Sequence, residues 1–132
     1  MTEINIVLDT AVWLEYFRDT PSVVSVVQPA IDSGVIVVPS VCIYEVALAV
    51  GRMNGADDVL AAAAIMRSHK VDDFNADRAI QAAELRRQYR LPMADSIVYA
   101  TALAYNATLY TQDTDFEGLP NVHFLKQHSN IL

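Results

Sequence analysis

The stretch Ile4-Asn5-Ile6-Val7-Leu8-Asp9-Thr10-Ala11-Val12-Trp13-Leu14 decides how this chain is read. Ile4 to Leu8 is a short apolar run rich in β-branched residues, the pattern of a buried strand. From Thr10 to Arg18 the period changes, and Val12, Trp13, Tyr16 and Phe17 supply the inner side of a helix. Asp9 is the only charged residue between Ile4 and Leu14, and it falls at the joint. A buried strand leading directly into a helix opens a β-α unit, and the chain repeats that alternation.

Pro21 starts a second helix over Ser22 to Ser33, which stops at Gly34, and Val35 to Val38 is the next strand. Pro39 ends that strand, and Ser40 is positioned as the N-cap of a helix from Val41 to Arg52. Past Gly51 and Gly55, an alanine-rich helix covers Ala56 to Ser68. Lys70 to Phe74 reads as a short edge strand, despite two consecutive aspartates. A helix opening at Asn75 or Ala76 runs to Leu91, and an almost wholly apolar one follows over Met93 to Asn106. Thr108 to Thr111 and Val122 to Leu125 are the last two strands, joined by a short loop or helical turn. The expected fold is therefore α/β, with a mostly parallel central sheet of about five strands.

Composition bounds the function. A chain of 132 residues is expected to form one domain, spanning 1–132, able to bury roughly two-thirds of its unfolded surface without staples. With 53% hydrophobic and 19% charged residues it is not intrinsically disordered. A lone cysteine, Cys42, excludes an intrachain disulfide and a multi-cysteine zinc site, and fits a reducing, cytoplasmic setting. The apolar start has no basic residue ahead of it, and Ser96 to Gln112 is too short and polar for a membrane span. Nine basic against 16 acidic residues, a net charge of −7, argue against holding nucleic acid through an extended basic surface alone.

The placement of the acids carries more information than their number. Glu45 is the only charged residue between Ser33 and Gly51, and Asp95 the only one between Leu91 and Gln112. Asp113 and Asp115 follow the fourth strand directly. Each has an ordinary explanation: Asp9 as a helix cap, Glu45 paired with a distant base such as Arg86, Asp95 against a helix dipole, Asp113 and Asp115 as turn residues. Together they are harder to dismiss, because a buried carboxylate is costly unless it is paired or bound to a metal, and none of these segments holds a local lysine or arginine. In an open parallel sheet, ligands gather beyond the carboxyl ends of the strands, where strand order reverses. If the first and fourth strands are neighbours there, Asp9, Glu45, Asp95 and Asp113 can share one crevice. Oxygen-only ligands select hard divalent cations, so Mg²⁺ or Mn²⁺ is the expected occupant.

Four pieces of the chain, in this order, resemble the PIN-domain ribonucleases, most of all the small toxin subunits of VapBC-type toxin–antitoxin pairs. They are I-V-L-D-T-A-V-W-L at Ile6 to Leu14, V-P-S-V-C-I-Y-E-V-A at Val38 to Ala47, L-P-M-A-D-S-I-V-Y-A-T-A at Leu91 to Ala102 and L-Y-T-Q-D-T-D-F at Leu109 to Phe116. The resemblance implies a three-layer, PIN-like α/β sandwich. It puts Asp9, Glu45, Asp95 and Asp113 on the family's catalytic, metal-binding positions and Asp115 on a less strictly required acidic one. Thr10 and Thr111 match hydroxyl positions that orient a carboxylate or a bound water. The implied activity is Mg²⁺- or Mn²⁺-dependent endonucleolytic RNA cleavage, leaving a 5′-phosphate and a 3′-hydroxyl. The implied partners are an RNA substrate, an antitoxin protein and a second copy of the chain in a homodimer, with no membrane.

The antitoxin groove is expected along the apolar helices Ser22 to Ser33 and Val41 to Arg52. Without its five site acids the chain is only weakly negative, and Arg86, Arg87 and Arg90 are candidates for contacting the RNA backbone, though a solvated helix face explains them equally well. His69, His123 and His128 form no metal-ligand spacing, Cys42 reads as a small buried hydrophobe, and Trp13, Tyr16 and Phe17 as core. Two other readings remain open. A haloacid-dehalogenase-type phosphatase needs an aspartate two residues after its nucleophile, whereas Asp9 is followed by Thr10 and Ala11. A non-catalytic acidic module that only holds a metal or a partner is separated from the enzyme by assay.

Overall fold

The structure, a computed structural model, describes residues 4–127. Five strands form one sheet: β1 (Asn5–Leu8), β2 (Val35–Pro39), β3 (Lys70–Asp72), β4 (Thr108–Thr111) and β5 (Val122–Phe124). Every neighbouring pair is parallel, in the order β3-β2-β1-β4-β5. Parallel strands need crossovers, and six helices supply them: α1 (Thr10–Phe17), α2 (Pro21–Ser33), α3 (Ser40–Met53), α4 (Ala56–Arg67), α5 (Ala76–Tyr89) and α6 (Met93–Ala104). The strand path moves one way from β1 to β3, then returns past β1 to β4. Right-handed crossovers therefore carry α1–α4 to one face and α5 and α6 to the other.

Cover on both faces explains why β1 and β2 are apolar without alternation: Ile6, Val7 and Leu8, and Ile36, Val37 and Val38, are all buried. α6 is apolar all round for the same reason. It packs across β1, β2 and β4, and every residue from Ser96 to Ala102 is buried. Trp13 is buried and stacks on Phe17 with ring centroids 5.6 Å apart, so α1 is held by its aromatic side as expected. Gly34, between α2 and β2, is required by close approach. A Cβ there would lie 2.6 Å from the Ile4 carbonyl oxygen and 2.7 Å from Ile6 Cδ1.

Two local expectations are corrected, and one alternative for Glu45 is set aside. Ser40 does not cap α3; Pro39 occupies the cap position, and the Ser40 hydroxyl instead accepts the Phe74 N–H at 3.1 Å. The strand at Lys70 ends at Asp72, whose carboxylate turns inward and accepts from Arg78 Nε and Nη2, both at 2.9 Å, and from the Tyr105 hydroxyl at 3.0 Å. The adjacent Asp73 is exposed, so the two aspartates have opposite environments. Glu45 meets no arginine; it accepts from the Thr10 hydroxyl at 2.6 Å, while Arg86 lies exposed on α5.

Candidate active site

The strand order reverses beside β1, so the carboxyl ends of β1 and β4 lie side by side where the crossovers diverge. Asp9 leaves β1 at this point as the N-cap of α1. Its Oδ1 accepts the Thr10 N–H at 2.9 Å and its Oδ2 accepts the Thr111 hydroxyl at 2.8 Å. Thr111, the last residue of β4, is fully buried; its Oγ1 also accepts the Asp113 N–H at 3.0 Å. One hydroxyl thus ties the first acid to the fourth. Thr10, at the start of α1, donates to Glu45 Oε1 and holds the α3 acid over the same opening. Asp95 enters from the first turn of α6, and Asp113 caps the 3₁₀ turn Thr114–Phe116 by accepting the Asp115 N–H at 2.9 Å.

These elements enclose an open cleft of about 500 Å³ lined by Asp9, Thr10, Glu45, Asp95 and Asp113 together with Ala11, Leu14, Gln112, Thr114 and Gln127. Four elements distant in sequence therefore deliver the four expected acids to one place. Asp115 is exposed and stands at the rim, where carboxylate oxygens of Asp95, Asp113 and Asp115 all lie within 4.8 Å of one another.

Burial pushes the Asp95 carboxyl up to about 8, reinforced by its hydrogen bond with Asp113 and by the charges of Asp9, Asp113 and Asp115. Burial likewise raises Asp9 above the usual carboxylate range, against the opposing hydrogen bonds from Thr111 and Thr10. Cys42, behind the site, is held as a neutral thiol by burial and by the same acids, and its Sγ faces the Leu8 carbonyl at 3.9 Å. Among the described residues the ion pairs are Arg18–Glu15, Arg78–Asp72 and Arg87–Glu84, so no site acid is matched by a base. Oxygen donors in excess, with no protein cation to balance them, suit a hard divalent ion.

The structure does not bring the three arginines to the cleft. Arg86 and Arg87 are exposed on α5 and Arg90 is its left-handed C-cap; none lines the opening, and Arg87 is engaged by Glu84. His69 packs beside Trp13, with ring centroids 6.0 Å apart, and His123 stacks on Tyr110 at 4.6 Å; His128 lies outside the described residues. Sequence reasoning missed Gln112 and Gln127. Uncharged, and in Gln127's case placed after a strand at the far end of the chain, they carried no periodic or charge signal.

A second opening, apolar and about 270 Å³, lies between α1, α3 and α4, lined by Leu14, Phe17, Val50, Met53, Ala62 and Ile65 among others. Of the two helices expected to form the antitoxin groove, α3 lines this opening and α2 does not. α2 turns its buried Val23 and Val27 into the core.

A parallel sheet of this order, with carboxylates converging where it reverses, defines an α/β domain built to present acids beyond its strand ends. The chain belongs to the PIN-domain family, whose sequence profile matches residues 6–121. No curated protein matches it in sequence. Solved structures share the fold at low identity. A toxin–antitoxin complex from Klebsiella pneumoniae superposes with a TM-score of 0.79 at 19% identity, over 93% of this chain and 99% of that one. VapBC2 from Rickettsia felis, bound to a DNA fragment from its promoter, gives 0.75 at 20%, over 93% and 100%. VapC20 from Mycobacterium tuberculosis, described as a Sarcin-Ricin loop cleaving toxin, gives 0.71 at 22%, over 87% and 95%.

Proposed function

We propose that this chain is a Mg²⁺- or Mn²⁺-dependent endoribonuclease and the toxin of a type II toxin–antitoxin pair. The observation that carries the reading is the convergence of Asp9, Glu45, Asp95 and Asp113 on one cleft, with no lysine or arginine paired to them among the described residues. Membership of the PIN-domain family and the toxins among its structural relatives support it.

In this reading Asp9, Glu45, Asp95 and Asp113 would hold a divalent ion, with Asp115 adding charge at the rim. The chemistry such an ion would supply is a water of lowered pKa as nucleophile and charge stabilisation on the phosphoryl oxygens. The protein's own work is positional. Thr111 fixes the rotamer of Asp9, Thr10 fixes that of Glu45, and the Asp113 cap fixes the loop after β4. No side chain is required as a covalent nucleophile. The products are a 5′-phosphate and a 3′-hydroxyl.

The apolar opening between α1, α3 and α4 is the proposed seat of the antitoxin. Leu14 lines both this opening and the acidic cleft, so one peptide laid along the first can reach over the second. A homodimer and a cytoplasmic setting go with the same reading. Among the described residues no helix is long and apolar enough to cross a membrane.

The test is to incubate the purified chain with total cellular RNA, with and without Mn²⁺ and chelator, and to map new 5′ ends. Discrete Mn²⁺-dependent 5′ ends are expected. RNA left intact with Mn²⁺ present overturns the enzyme in favour of a non-catalytic acidic module.

A further inference from the structure

The cleft has two unlike sides. Toward α1, α3 and α6 it is walled by Asp9, Glu45 and Asp95; toward the carboxyl ends of β4 and β5 a single acid, Asp113, stands among the uncharged Gln112, Thr114 and Gln127. The second side is a product of strand pairing. β5 lies parallel to β4 with Phe124 opposite Thr111, and the Leu125 N–H donates to the Thr111 carbonyl at 2.7 Å. The segment after β5 is thereby delivered to the opening from which Gln112 also emerges. The hydrogen bonds that shape the loop after β4 run through Thr111, Asp113 and Asp115 and leave the Gln112 amide without a partner among the described residues. Gln127 is exposed.

Among the described residues no lysine or arginine lines the cleft, so the protein groups that meet a substrate inside it are acids and uncharged polar side chains. A side-chain amide offers a donor pair and an acceptor together, the complement of a base edge, and adds no negative charge to a site already crowded with it. Base edges are available in single-stranded or looped RNA and not in the deep major groove of a duplex. We propose that Gln112 and Gln127 are specificity-determining residues that hydrogen-bond the base of the nucleotide next to the scissile phosphate in single-stranded RNA. This rests on the nuclease reading and names the side of the cleft on which the substrate is read.

The test uses the full chain with Mn²⁺ and a single-stranded oligoribonucleotide carrying a cut site mapped in cellular RNA. Gln112→Ala and Gln127→Ala are each expected to raise KM roughly three- to tenfold, the loss of one neutral hydrogen bond, and to broaden the set of positions cut. The change falls on KM and cut position more than on kcat, while calorimetric Mn²⁺ binding and the thermal midpoint are retained. An active chain whose two variants keep its KM and its cut positions overturns this inference alone. A chain that cuts cellular RNA but leaves this single-stranded oligonucleotide intact also overturns this inference alone, whereas a chain that yields no cut site in cellular RNA overturns the nuclease reading and this inference with it.

Discussion

The Thr111 hydroxyl donates to Asp9 Oδ2 at 2.8 Å across 102 positions of sequence, joining the end of β4 to the end of β1. The same oxygen accepts the Asp113 N–H, so its proton is committed to Asp9 and its lone pair to the loop. Thr111→Val keeps the shape and removes both bonds. We expect metal-dependent RNA cleavage to fall roughly 10- to 100-fold, with Thr111→Ser restoring most of it. Equal rates for the valine and threonine chains would show that Asp9 is oriented without the Thr111 hydroxyl, by its bond from the Thr10 N–H and by packing.

Asp9→Asn and Asp95→Asn each remove a ligand charge with little change in shape. Cleavage in Mn²⁺ should fall at least about a hundredfold, more than for a residue that only orients a ligand, while far-UV circular dichroism stays that of the parent. Wild-type rates in both variants would refute the site assignment.

Crowded carboxylates strain the metal-free protein. In chelator near neutral pH, Asp95→Asn is expected to raise the thermal midpoint by about 2–8 °C, because it removes the cost of burying an ionisable carboxyl beside Asp9, Asp113 and Asp115. Saturating Mn²⁺ should raise the midpoint of the parent more than that of the variant. Thermal melts of both chains, with chelator and with Mn²⁺, check this, and a variant that melts lower in chelator would contradict it.

A second buried charge, Asp72, shows the opposite arrangement. Its side chain is only 8% exposed, and the Arg78 guanidinium holds its carboxyl below the usual value of 3.8, helped by hydrogen bonds from Tyr105 and Thr101. Arg78→Met leaves the carboxylate buried without its base and should cost about 3–5 kcal/mol at neutral pH. Because the folded-state pKa is depressed, the stabilisation is fully present above 3.8 and is lost as pH falls through the lower folded value. The gap between parent and variant in urea denaturation should therefore narrow in strong acid; a gap independent of pH would assign the loss to packing.

Much of this protein was legible before its fold was known. The switch from strand to helical period around Asp9, the lone acids in apolar segments and the Gly and Pro stops outlined five strands and six helices, because burial leaves its periodicity in the residues themselves. The four acids were legible as metal-ligand candidates because a charge in an apolar stretch with no local partner needs an explanation outside that stretch.

What the tertiary structure decided was which groups meet. Sequence alone offered Glu45 to Arg86 and left Asp72 and Asp73 alike; packing assigned Glu45 to Thr10 and Asp72 to Arg78, since a side chain's partner depends on strand order rather than on neighbours along the chain. An apolar opening lies against α1, α3 and α4 for the same reason: several helices have an apolar side, and only the crossover path decides which of them is covered by the core. The glutamine wall left no trace in the sequence at all, because an uncharged polar residue in a loop is unremarkable until parallel pairing of β4 and β5 carries two of them to one cleft.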